Sequence, residues 1–184
     1  MKTLKLLSVA AGIGIVGIAV FIYSGLFNIA ADEPHWPVTF KILSVVRDRS
    51  VEARSAAVAT PDINNDISIR LGAGNYDAMC TGCHLGPGME ESELSLGLYP
   101  KPPSWREIGE VDPREAFWII KHGIKMSGMP AWGKSMGDGH IWNIVAFLQK
   151  LPQLTPDAYR ELVASSSGHK HDNDENEPHH HSEM

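Results

Sequence analysis

Hydrophobic and polar positions divide this chain into four stretches with different rhythms. After Lys2 and Lys5 no charged residue occurs before Asp32, and residues 6–31 are an uncharged, predominantly apolar run. As a helix that run would extend about 39 Å, more than the roughly 30 Å of a bilayer's hydrocarbon core, so it can cross a membrane with some tilt. A cleaved signal peptide is the competing reading, because Ala30 and Ala31 are small enough for a peptidase. The apolar part of a signal is usually about 7–15 residues, and the greater length here favours a retained anchor. Lysines before the run and Asp32–Glu33 after it place the N-terminus in the cytoplasm and the remainder outside.

In residues 38–58 apolar Phe40, Ile42, Leu43, Val46 and Val51 are mixed with Arg47, Asp48, Arg49 and Glu52. This pattern suits an amphipathic helix near the membrane surface, lying on it or on the following domain. The plainer reading, a spacer that holds the domain away from the bilayer, is preferred. Thr60-Pro61-Asp62 through Asn64-Asn65-Asp66 is a turn-rich linker.

Beyond the linker the apolar spacing is helical. Asp66 is expected to cap a helix through Ile69, Leu71 and Tyr76. Asp112-Pro113-Arg114-Glu115 supplies an acceptor at the N-cap, proline at the first helical position and Glu in the first turn, and Gly123 closes that helix. Asp138 is expected to cap a third helix that stops before Pro152, and Thr155-Pro156-Asp157 to open a short last one. No stretch alternates at period two for long enough to predict a strand. The expected fold is therefore all-α, with long loops at 84–111 and 123–137. The expected organisation is an anchor at 1–33, an amphipathic stalk and linker at 34–66, a helical domain at 67–163 and a disordered tail at 164–184.

Charge and cysteine count narrow the function. The chain has 184 residues, 16 Lys and Arg against 22 Asp and Glu, and a net charge of −6. From Ala164 onward five acids face the single base Lys170, so the tail holds −4 of that charge and the rest only −2. A nearly neutral body argues against a nucleic-acid partner. Two cysteines exclude a disulfide-rich scaffold.

Those cysteines lie in Cys80-Thr81-Gly82-Cys83-His84, the C-x-x-C-H signature of c-type haem attachment. Two thiols three positions apart can form thioethers to one edge of a porphyrin, and the adjacent imidazole can ligate iron from one face. A zinc site would need two more ligands at suitable spacing, but there is no second cysteine pair, and His122 and His140 are isolated. A thioredoxin-like redox pair would need a preceding strand. A sixth iron ligand is offered by Met126-Ser127-Gly128-Met129-Pro130, because a thioether fills that position in cytochromes c. Met129 stands between Gly128, which permits close backbone approach, and Pro130, which restricts the loop. Met126 is its rival.

Residues 67–152 resemble class I, monohaem cytochromes c. Gly72 and Tyr76 stand eight and four residues before Cys80, like the family's N-terminal-helix glycine and aromatic. Ile144 and Phe147 match the C-terminal-helix positions that pack across them; Cys80, Cys83 and His84 match the haem motif, and Gly128-Met129-Pro130 the ligand loop. Anchor, stalk and tail together resemble membrane-anchored bacterial cytochromes c of proteobacterial type. The resemblance implies a helical domain wrapped around one covalent haem c after an N-terminal transmembrane helix. It further implies thioethers at Cys80 and Cys83 and axial His84 and Met129. A proline carbonyl should orient His84, with Pro87, Pro100, Pro102 and Pro103 as candidates.

The expected function is single-electron transfer on the periplasmic side of the inner membrane, held there by residues 6–31, between partners of a respiratory or periplasmic chain. No activated nucleophile, paired carboxylates or nucleotide loop accompanies the motif, so an enzyme is not expected. A haem sensor or enzyme with a displaceable Met is one alternative, and a metal-handling protein another. The second rests on His169, His171, His179, His180 and His181, which can bind Cu, Ni or Zn. Lys121, Lys125 and Lys134 flank the Met loop and could steer an acidic partner. Trp105, Trp118, Trp132 and Trp142 are expected in the core or the haem wall.

Overall fold

The computed structural model describes residues 2–168, which fall into two compact units divided between Pro34 and His35. The five tail histidines lie outside the described residues. The first unit is helix α1, Lys2–Tyr23, 22 residues or about 33 Å, long and apolar enough to cross a membrane. It is shorter than the apolar run of 6–31. The Ser24 hydroxyl donates to the Phe21 carbonyl, and Gly25 adopts φ +67°, a left-handed position that ends the helix without a Cβ penalty.

Among its described residues the second unit contains helices, turns and loops and no strand. Helix α2, Pro37–Ser55, packs on α7, Pro113–His122, and buries Val51 and Ser55. The stalk helix therefore lies on the domain, one of the two placements that its amphipathic pattern allowed. Its turns carry apolar groups on several sides, and one of those sides covers α7.

The domain is organised around the crossing of α3, Asp66–Met79, and α8, Asp138–Leu148. A Cβ on Gly72 would lie 1.9 Å from the Asn143 carbonyl oxygen and 2.8 Å from Phe147 Cβ, so only glycine permits this approach. Tyr76 then meets Phe147 at 5.4 Å between ring centroids, within a core that includes Ile69, Ala73, Ile141 and Ile144. Phe117 of α7 stacks on Trp142 at 4.2 Å, bringing the third helix onto the pair. Helix α9, Pro156–Ala164, packs on α3 through buried Tyr159.

Asp112 accepts from the Arg114 N–H, Thr155 from the Ala158 N–H, and Gly123 at φ +65° terminates α7, all as the local sequence predicts. Two expected caps shift by one residue. Asn65, not Asp66, caps α3 by accepting from Ser68 N–H. Gly137 occupies the N-cap of α8, and Asp138 instead pairs with Lys121 at 2.7 Å. Each of the two long loops also contains a short element. Thr81–His84 forms a single turn (α4), followed by α5, Glu93–Gly97, and α6, Trp105–Gly109, while Trp132–Lys134 is a 3-10 turn. Ser92 caps α5 and Ser104 caps α6 in reciprocal capping boxes, a signal contained in SELS and SWRE once the boxes are sought.

A His and Met site beside the Cys-x-x-Cys turn

The Cys80–His84 segment follows α3 as one tight turn. Cys83 and His84 N–H groups both donate to the Cys80 carbonyl, at 3.1 and 2.9 Å, and the Thr81 hydroxyl donates back to Asp77 at 2.6 Å. The Tyr76 hydroxyl donates to the Leu85 carbonyl at 2.6 Å, fixing the exit of the turn to the core. Ser92, the cap of α5, donates to the Gly82 carbonyl, so α5 rests against the same turn.

His84 is oriented from a distance in sequence. Its Nδ1 lies 2.8 Å from the Pro103 carbonyl oxygen, which selects Pro103 from the four candidate prolines. A carbonyl only accepts, so Nδ1 carries the proton and Nε2 presents its lone pair. Burial lowers the imidazole's proton affinity, and the bond to Pro103 opposes that effect in part. Burial also pushes the Cys80 thiol up to about 12, with Cys83 adding to it, and raises Cys83. Neither thiol is the lowered, thiolate-prone group of a dithiol redox centre. Among the described residues no three His, Cys, Asp or Glu side chains converge as a metal-ion site.

The two methionines of the 126–130 loop differ sharply. Met126 sits at φ +57° with its side chain 80% exposed, whereas Met129 is partly buried and packed against the core. The loop is tied on both sides of Met129: its N–H donates to Ser127 Oγ at 3.2 Å, and its carbonyl accepts from Ile124 N–H at 3.2 Å. A Cβ on Gly123 would come within 2.7 Å of the Met129 carbonyl oxygen, so the chain at 129–131 passes directly over the end of α7. Gly128 lies under Leu98, whose methyl carbon would be 2.5 Å from a Cβ there.

A one-turn thiol pair, an imidazole with Nε2 presented, and a half-buried thioether fit a c-type haem. Residues 68–148 match the family model described as cytochrome c oxidase, cbb3-type, subunit III. Residues 68–148 form a c-type cytochrome domain. No curated protein and no solved structure matches the chain. The family implies a c-type haem and haem-based electron transfer with redox partner proteins.

Around the cytochrome domain's site the remaining expectations separate. Trp142 is in the core stack, Trp105 and Trp132 pack at its edge, and Trp118 lies 4.9 Å from the His122 ring at the end of α7. Lys125 and Lys134 are exposed, but Lys121 is engaged by Asp138 and lies over the Phe117 ring, so it is not a free steering charge. Met136 is buried in the core. Sequence reasoning missed Ser127, whose hydroxyl two positions before Met129 is a recognisable Ser turn. It also missed the bond from Tyr159 Oη to Asp77 Oδ1 at 2.7 Å, which ties α9 to the end of α3. The residues in that bond are 82 positions apart and have no local signature.

Proposed function

We propose that the chain is a membrane-anchored carrier of single electrons, with one haem c joined to Cys80 and Cys83 and its iron held between His84 and Met129. The observation that carries this reading is the Nδ1 contact of His84 with the Pro103 carbonyl, which leaves a neutral Nε2 donor one residue after the second thiol. When bound, the haem supplies a one-electron Fe(III)/Fe(II) couple. Met129 would supply the second iron donor through its Sδ, a choice supported by the partial burial of Met129 and by the exposure of Met126. A thioether there favours Fe(II) and raises the potential. Ser127, Ile124 and Gly123 hold the Met129 backbone, Pro103 holds the ring of His84, and both donors are thereby pre-positioned.

In this reading α1 is a retained anchor in the inner membrane, with the cytochrome domain in the periplasm. The length and polarity of α1 support it, together with the lysines that precede the apolar run. Protein that stays in the membrane fraction after a salt wash is the expected result; mature protein starting near Asp32 would show a cleaved signal instead.

The ligand test is spectroscopic. A sulfur-to-iron charge-transfer band is expected in the oxidised protein; Met129→Ala should abolish it, lower the potential and admit carbon monoxide, while Met126→Ala should change none of the three. Ready binding of carbon monoxide by the wild type would favour the sensor or enzyme alternative. Retention of the band in Met129→Ala and its loss in Met126→Ala would place the ligand one turn away.

A further inference from the structure

Helix α2 has a second face that its packing on α7 does not use. Val51 and Ser55 point into the domain, and the opposite side of the first three turns presents Val38, Ile42 and Val46, 70, 57 and 61% exposed. At 100° per residue these three and Val45 share one face, directed away from the buried one. Trp36, immediately before the helix, is 69% exposed. Between Pro37 and Val46 the only charged residue is Lys41, whereas Arg47, Asp48, Arg49, Glu52 and Arg54 crowd the second half. A helix apolar on both sides for three turns and then abruptly charged is unusual for a water-facing surface.

We infer that the outer face of residues 36–46 lies in the lipid interface, so that α2 seats the cytochrome domain on the bilayer surface. This rests on the reading of α1 as a retained anchor. Three observations select lipid as the occupant. The face follows α1 in sequence through the segment 24–36, so it is delivered to the membrane by the chain itself. The leading Trp36 has the amphipathic ring that settles at headgroup level. The charges of α2 are four basic against two acidic in a chain whose net charge is −6, so this helix is locally cationic and suited to anionic headgroups. Apolar side chains in such a helix enter the headgroup and acyl boundary by about 5–10 Å, with the charged turns outside it. The functional consequence is orientation. The face of α7 that carries α2 would turn toward the bilayer, and the rest of the domain would present its redox edge within a restricted range of angles. Electron partners would then meet one exposed side in preference to all others.

In the holoprotein both native thiols are taken up by thioethers, so a single introduced cysteine can carry a nitroxide label. Labels at Ile42→Cys, Val46→Cys, Ala53→Cys and Ile13→Cys would be placed in the full chain, reconstituted in bilayer nanodiscs of phosphatidylethanolamine and phosphatidylglycerol. Relaxation by oxygen would be compared with relaxation by a water-soluble nickel chelate. The expected result is a severalfold preference for oxygen at Ile13, Ile42 and Val46 and for the nickel chelate at Ala53, in the charged half. A lipid-exposed label at 13 with water-exposed labels at 42 and 46 would overturn the seating of α2 and leave the anchor intact. A water-exposed label at 13 would overturn the anchor reading itself. Spin–spin broadening between labels at 42 or 46 of neighbouring chains would show that a second copy, not lipid, covers the face, and would equally overturn the inference.

Discussion

Gly72→Ala adds one methyl group at the tightest point of the fold, and its consequence can be worked from the crossing of α3 and α8. The new carbon would start 1.9 Å from the Asn143 carbonyl oxygen, 2.5 Å from the carbonyl carbon and 2.8 Å from Phe147 Cβ. An acceptable carbon–oxygen contact is about 3.4 Å, so the two helices must part by roughly 1.5 Å. Two of the three obstructing atoms are backbone, so no side-chain rotation can relieve them. A gap of only ~0.5–1 Å already forfeits a quarter to a half of the dispersion attraction across an interface. The packing of Tyr76 on Phe147 would be weakened with it. We place the cost near ~3 kcal/mol, the upper end of ordinary overpacking. The better helix propensity of alanine offsets about 1 kcal/mol of this. The net loss of about 2 kcal/mol is a large part of a typical ~5–15 kcal/mol stability. Urea unfolding of the holoprotein, followed by circular dichroism, should show the midpoint falling by about 1 M for an m-value near 2 kcal/mol/M. Gly139→Ala is the matched control, because a Cβ there meets nothing within 4 Å. It should leave the midpoint unchanged or raise it slightly through the unfolded state. Equal behaviour of the two variants would refute the close crossing.

Other perturbations separate local from long-range contributions. Tyr159→Phe removes the donor to Asp77 while keeping the ring that packs on Phe147, and should cost about 1–2 kcal/mol in the same unfolding assay. Asp112→Ala should cost about 1 kcal/mol at pH 7 by removing the α7 cap. The Asp112 carboxyl is held below its usual range, first by the Arg114 side chain, with burial opposing. A lowered carboxylate stabilises the fold above its unfolded pKa of about 3.9 and loses that contribution as pH falls through the lower folded value. The difference between wild type and Asp112→Ala should accordingly shrink in acid, measured by thermal unfolding between pH 7 and pH 2.5. Gly123→Ala forces a Cβ into a left-handed position and against the Met129 carbonyl; we expect a weakened sulfur-to-iron band, with loss of about 1–2 kcal/mol from the backbone conformation alone. Lys121→Met breaks an ion pair between a partly exposed lysine and an exposed aspartate, and should change stability by less than about 1 kcal/mol.

What the sequence determined by itself is contained within a turn or two of chain. The Asp112 and Thr155 caps, the left-handed stop at Gly123 and the Cys80–His84 motif are legible because donor, acceptor and backbone constraint lie within four residues of each other. The apolar run of α1 is legible for a similar reason: exclusion of charge over a bilayer's thickness is a property of consecutive residues. Even local signals lose to a neighbouring competitor, as when Asn65 takes the α3 cap in place of Asp66 and Gly137 the α8 cap in place of Asp138. Tertiary structure decided what depends on distant backbone. Four prolines satisfied the motif's need for a carbonyl, and only the path of the 98–103 segment delivers Pro103 to His84. Gly128 and Pro130 favour Met129 over Met126 as the ligand, but the burial of Met129 is decided by the passage of residues 129–131 over Gly123 and of Leu98 over Gly128. The alternation in α2 announces an apolar surface without saying against what it rests. Its contact with α7 is settled by the free energy of burying Val51 there, a quantity that no window of sequence contains.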